Sequence, residues 1–71
     1  MINAYLGIDI GTISTKAVII DDNNKIITSE YLNTERNPIN AVKKIISILN
    51  KKLDKKKYKV VSVGTTVASR K

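Results

Sequence analysis

The stretch "GIDIGTISTKAVIIDDNNKII", Gly7 to Ile27, decides how this chain is read. It sets one carboxylate, Asp9, beside the apolar Tyr5, Leu6, Ile8 and Ile10, and follows it with a glycine and the hydroxyls of Thr12, Ser14 and Thr15. An ionised side chain in a buried strand is costly unless it is paired, hydrogen-bonded or turned towards a metal. Asp9 therefore needs a partner, and the flanking residues suggest what kind.

"AYLGIDI", Ala4 to Ile10, is a short and almost continuous apolar run, which predicts a strand covered on both faces. "STKAVIID", Ser14 to Asp21, is rich in β-branched residues and predicts a second strand, with Gly11 and Thr12 supplying the turn between them. Asp22, Asn23 and Asn24 form a polar hairpin connection, because Asn and Asp tolerate left-handed backbone angles and bond their own main chain. "KIITSEYL", Lys25 to Leu32, is a third strand, more exposed where Thr28, Ser29 and Glu30 fall. Three strands joined by tight turns make an antiparallel meander.

Asn37 and Pro38 then read as an N-cap followed by proline at the first helical position, where a missing N–H costs nothing. Ile39, Val42, Ile45, Ile46, Leu49 and Leu53 recur at helical spacing and predict one apolar stripe on a helix ending near Leu53. "YKVVSVG", Tyr58 to Gly64, is a fourth strand. A helical crossover of this length most simply makes it parallel to an earlier strand, with a right-handed connection.

Composition narrows the chemistry. The chain has 71 residues, and one of this size buries only about 60% of the surface its unfolded form exposes, so it holds one small domain or a piece of a larger one. It has no cysteine and no histidine, which removes disulfides, thiolate metal sites and imidazole bases. No run approaches the ~20 apolar residues of a membrane span and no signal peptide opens the chain, so the expectation is a soluble, cytoplasmic protein. The net charge of +7 owes much to six lysines in "KKLDKKKYK", Lys51 to Lys59. Lysines at a helix C-terminus complement its dipole and keep the following loop solvated. With only Arg36 and Arg70 and three tyrosines, the aromatics and arginines of a nucleic-acid surface are scarce, and no nucleic-acid partner is expected.

The hairpin around Asp9 can do one thing well. Gly11 lets the backbone approach a phosphate, the Thr12, Ser14 and Thr15 hydroxyls and the turn N–H groups around Ile13 donate to its oxygens, and Lys16 adds a cation. Asp9 can hold Mg2+ directly or through its water shell. Such a set binds nucleotide phosphates and positions metal without supplying a catalytic base, so no catalytic residue is assigned. A bare Asp-x-Gly-Thr is short enough to be an ordinary hairpin, with Lys16 a solvated edge charge.

The match extends into the flanking strands, however: "GIDIGTISTKAVIID" resembles the first phosphate motif of the superfamily joining sugar kinases, heat-shock chaperone ATPases and actin. Order and motif together give an α/β fold, the β-β-β-α-β first half of a ribonuclease H-like fold. With no closing element after "TTVASRK", the sequence reads as truncated: a single N-terminal subdomain fragment, residues 1–71, of an actin-like ATPase domain. "YLGIDIGTISTKAVIIDDNNKII", "YLNTERNPINAVKKII" and "VVSVGTTVASRK" together resemble the N-terminal portion of the activators of 2-hydroxyacyl-CoA dehydratases, the BadF/BadG/BcrA/BcrD ATPase family, over essentially the whole chain.

That resemblance implies a homodimeric ATPase sharing an iron-sulfur cluster, which drives an electron into a partner dehydratase. It implies that Asp9, Gly11, Thr12, Thr15 and Lys16 serve the phosphates of ATP or ADP and the metal, with Gly64, Thr65 and Thr66 at the neighbouring strand end. The cluster ligands and the adenosine side are not in these residues. After Gly64-Thr65-Thr66 the family continues with glycine and another small or aromatic residue before Gly-Arg, whereas this chain has Val67, Ala68 and Ser69, while Arg70 keeps its place. The alternatives are a sugar-kinase N-terminal fragment and a non-catalytic actin-like assembly or regulatory module. The few residues between Leu32 and Pro38 favour the activator over a kinase with insertions there. The fragment by itself is expected to be inactive, and to self-associate through an uncovered sheet face or bare edge strand.

Overall fold

The computed structural model describes residues 1–67; Ser69 and Arg70 of the terminal motif lie outside the described residues. Its elements are β1 (Ile2–Ile10), β2 (Ser14–Asp21), β3 (Ile26–Asn33), α1 (Pro38–Lys52) and β4 (Tyr58–Val67). They form one mixed sheet in the order β3-β2-β1-β4, with β1 antiparallel to β2 and parallel to β4. This is the β-β-β-α-β half of a ribonuclease H-like fold. Among the described residues no helix is long and apolar enough to cross a membrane.

Local chemistry explains each join. The Asp21 carboxylate accepts the N–H groups of Asn23 at 2.8 Å and Lys25 at 3.0 Å, and Asn24 takes a left-handed φ of 62°, closing the β2–β3 hairpin as its composition predicts. The Tyr5 hydroxyl donates to Asp22 at 2.6 Å, a bond that raises the phenol pKa and ties this hairpin back to β1. Asn37 caps α1 by accepting the Asn40 N–H at 3.1 Å, and Lys51 and Lys52 occupy its last turn. Lys52 also pairs with Glu30 on β3, an exposed contact of the kind worth at most about 1 kcal/mol.

The core lies between α1 and one sheet face. Ala4 and Ile8 of β1, Ala17 and Ile19 of β2, and Ile45, Leu49 and Leu53 from the helix and its cap are buried together, with Leu6, Ile10, Ile27 and Leu32 packed around them. Strand periodicity puts the other residues of β1, namely Asn3, Tyr5, Gly7 and Asp9, on the opposite face.

Two expectations change here. β1 is covered on one face rather than two: its apolar run is an alternation in which Tyr5 and Gly7 stand in for polar residues. The helix stripe is narrower than its isoleucines suggest. Ala41, Ile45 and Leu49 are buried, whereas Ile39 is 71% and Ile46 40% exposed. Residues 39 and 46 are two turns apart on a flank that α1 does not press onto the sheet.

Candidate functional site: the β1–β2 turn and the open sheet face

The turn between β1 and β2 is held from below. The Gly11 N–H donates to the Ser14 carbonyl at 2.9 Å, and the Thr34 N–H donates to the Ile13 carbonyl at 2.9 Å. The Thr34 hydroxyl donates to the Gly11 carbonyl at 2.8 Å and sits 2.9 Å from the Thr15 hydroxyl. A hydroxyl has one proton, so with Thr34 donating to Gly11 the bond between the two threonines is donated by Thr15. Both threonines are buried. Thr34, in the β3–α1 link, is thus the residue that fixes the turn, and sequence reading missed it. The signal available was a lone hydroxyl before Glu35 and Arg36, whose left-handed φ values of 54° and 60° mark a sharp bend that brings the chain back to the hairpin.

The turn also gives Gly11 a structural reason of its own. A Cβ on Gly11 would lie 2.8 Å from the Ser14 carbonyl oxygen, so the close approach that demands glycine is made by the hairpin's own backbone. Gly11→Ala is expected to cost about 1–3 kcal/mol, as overpacking does. Thermal unfolding of the two proteins checks this, and an unchanged midpoint would mean that the turn relaxes freely.

Asp9 is exposed on the open face of the sheet. Its register partners are Lys16 on β2 and Thr66 on β4, and the Thr66 hydroxyl donates to its carboxylate at 3.1 Å. The burial cost that singled Asp9 out is therefore small, and its surroundings are a cation on one side and a hydroxyl on the other. Asp9, Lys16, Thr66, Gly64 and Gly7 line a broad concavity of about 1090 Å³ whose far wall is Tyr31 and Ile26 of β3. Thr65 borders it, paired with Ile8, and Gly64 is paired with Gly7.

The sequence-assigned residues thus divide. Asp9, Lys16, Gly64 and Thr66 share the concavity, whereas Thr12 and Ile13, at the exposed tip of the turn, lie outside its lining. Ser14 is half-buried. Thr15 points into the core beside Thr34, where its hydroxyl braces the turn. Among the described residues no three His, Cys, Asp or Glu side chains gather as a metal cage, and the carboxylate in the row between Lys16 and Thr66 is Asp9. One carboxylate with waters and phosphate oxygens making up the rest suits Mg2+, which keeps much of its hydration.

A family model, the hydantoinase/oxoprolinase N-terminal region, matches residues 5–70. The chain belongs to this family. No curated protein matches the chain in sequence. Among solved structures, this hydantoinase/oxoprolinase N-terminal region is similar to gluconate kinase from Lactobacillus acidophilus, with a TM-score of 0.77 and 24% identity over 94% of this chain and 16% of that one. It is also similar to ligand-bound xylulose kinase from the same organism, with a TM-score of 0.74 and 24% identity over 92% of this chain and 15% of that one. At that identity the likeness is one of fold. The chain spans about one-sixth of the length of either kinase.

Proposed function

We propose that this hydantoinase/oxoprolinase N-terminal region is a phosphate-binding part of a cytoplasmic, ATP-dependent enzyme of sugar-kinase architecture. The observation that carries the proposal is the row Lys16, Asp9, Thr66 beside the braced Gly11–Ser14 turn. In this reading Lys16 neutralises phosphate charge, Thr12, Ile13 and Ser14 offer hydroxyl or N–H donors, and Asp9 holds hydrated Mg2+. Thr66 keeps the Asp9 carboxylate aimed, and Gly64 leaves the β4 backbone open to close approach. Mg2+ would supply charge compensation across the phosphates. The chain spans about one-sixth of either kinase, and this reading assigns turnover to a longer protein.

The family match supports a hydantoinase- or oxoprolinase-type parent, and the two kinase folds support the architecture. The activator of a 2-hydroxyacyl-CoA dehydratase, with its iron-sulfur cluster, is the second reading. It rests on the order of the sequence blocks and on the short link from β3 to α1.

The test is an NMR titration of the 71-residue chain with Mg-ATP and Mg-ADP. A half-open site predicts a Kd on the order of 1 mM, about −4 kcal/mol. Amide shifts should concentrate at Gly11–Lys16 and Gly64–Thr66, and Asp9→Asn or Lys16→Met should weaken binding about tenfold, or about 1.4 kcal/mol. Amides of the turn that stay put at millimolar nucleotide in a folded chain would refute the proposal.

A further inference from the structure

Between β3 and α1 the chain turns sharply on two residues that are poorly suited to the task. The Asn37 N–H donates to the Thr34 carbonyl at 3.0 Å, and the residues in between, Glu35 and Arg36, both take left-handed φ values, 54° and 60°. Positive φ at both central positions is the mark of a type I′ turn, which Asn-Gly and Asp-Gly fill because those residues tolerate the left-handed region. Glutamate and arginine do not: in that region their Cβ crowds a carbonyl oxygen, and each is strained. No side-chain pairing offsets the strain. Both residues are exposed, and the one ion pair among the described residues joins Lys52 to Glu30.

A strained bend persists only while the structure around it holds both ends. Asn37 heads α1: its side chain accepts the Asn40 N–H at 3.1 Å, its carbonyl accepts the Ala41 N–H at 3.0 Å, and the helix beyond buries Ala41, Ile45 and Leu49. Thr34 lies one residue past Asn33, which ends β3 and pairs with Ser14. It is held by the N–H it gives to the Ile13 carbonyl and by its hydroxyl, set between the Gly11 carbonyl and the Thr15 hydroxyl. Those are the bonds that fix the β1–β2 turn. The helix end has the larger buried surface behind it, so strain at Glu35 and Arg36 acts on Thr34.

We propose that the Thr34–Asn37 bend is a spring set against the β1–β2 turn: when Glu35 and Arg36 relax out of the left-handed region, Thr34 lifts from Gly11, Ile13 and Thr15, and the turn opens. Two residues outside the turn thus set how often it opens. A ligand that binds the closed turn shifts this balance by its preference for that form. That the ligand is a phosphate rests on the function proposed above; the spring stands without it.

Amide exchange followed by NMR on the whole chain tests the spring. In the wild type the Gly11 and Thr34 amides should exchange through a local opening, at rates that low urea hardly changes, while the Ile45 amide, released by global unfolding, speeds up with urea. Glu35→Asn combined with Arg36→Gly supplies the residues that the turn favours, and should slow exchange at Gly11 and Thr34 about tenfold, or about 1.4 kcal/mol. Glu35→Ala combined with Arg36→Ala removes both charges but keeps a Cβ at each position, and should leave these rates within about twofold of wild type. Exchange at Gly11 and Thr34 that follows urea as Ile45 does, a first pair of substitutions that slows neither amide, or a second pair that slows them as much as the first would each overturn the proposal. Mg-ATP at millimolar concentration should slow the Thr34 amide of the wild type. If it does not, while both pairs behave as stated, the spring is upheld and the phosphate-binding function falls.

Discussion

Ile45→Ala is expected to leave much of the chain unfolded in plain buffer, whereas Ile46→Ala, one residue on, should stay close to wild type. Ile45 has no exposed surface and sits where α1 meets the sheet. Truncating a buried isoleucine to alanine costs about 2–5 kcal/mol, the range arising from how far the cavity closes. A domain of this length has about 4–10 kcal/mol of stability in all, and small chains with open sheet edges fall towards the bottom of that range. The deletion therefore removes half or more of what holds the fold. Ile46 is 40% exposed and loses little apolar contact when shortened. Urea titration followed by circular dichroism separates the two: at ~1 kcal/mol/M the Ile45→Ala midpoint falls by about 2 M or more. Equal midpoints would mean that the helix is not docked through Ile45.

Thr34→Val is the second large effect, and it joins stability to the site. Valine keeps the shape but removes the hydroxyl that donates to the Gly11 carbonyl and accepts from Thr15. The Thr15 hydroxyl is then buried without its partner, at about 1–3 kcal/mol, and the lost bond to Gly11 adds about 1 kcal/mol. A total of about 2–4 kcal/mol is expected. Thr34→Ser, which keeps the oxygen, should recover all but about 1 kcal/mol, the methyl's share. Denaturant titration reads the stability, and amide exchange at Gly11–Ser14 reads the turn. A valine variant as stable as the serine one, with the turn amides as slow to exchange, would show that the brace is not used.

Much of the fold is legible in the sequence because its signals are local. β2 begins and ends where its β-branched run does, and Asn37-Pro38 starts the helix by a cap that needs no tertiary help. The Asp21–Lys25 turn is fixed by side chains within four residues of it. What sequence alone obscures is non-local. A glycine and a tyrosine make the alternation of β1 look like a continuous apolar run, so Asp9 seems more buried than it is. Ile39 and Ile46 look like core because hydropathy does not say how wide the neighbouring surface is.

The site follows the same rule. Asp9, Gly11, Thr12 and Lys16 are read from one hairpin, and Gly64 and Thr66 from a resemblance. Pairing through β1 then sets Asp9 between Lys16 and Thr66. Thr34 escapes notice because its partners Thr15 and Gly11 are 19 and 23 residues away. The role of Thr15 is hidden for the same reason.

β4 carries one more implication. From Val60 to Thr66 its residues are exposed, and it is joined to the rest by a single parallel ladder to β1. A strand so attached is the first to come away when the protein breathes, and its amides should exchange ahead of those of β1 and β2. Thr66 leaves Asp9 each time that happens. Anything that clamps β4 from the α1 side therefore lowers the entropy still to be lost when a ligand settles against Asp9, and by reciprocity that ligand strengthens the clamp. Ligands on the two faces of the sheet would then be thermodynamically coupled through the motion of one edge strand.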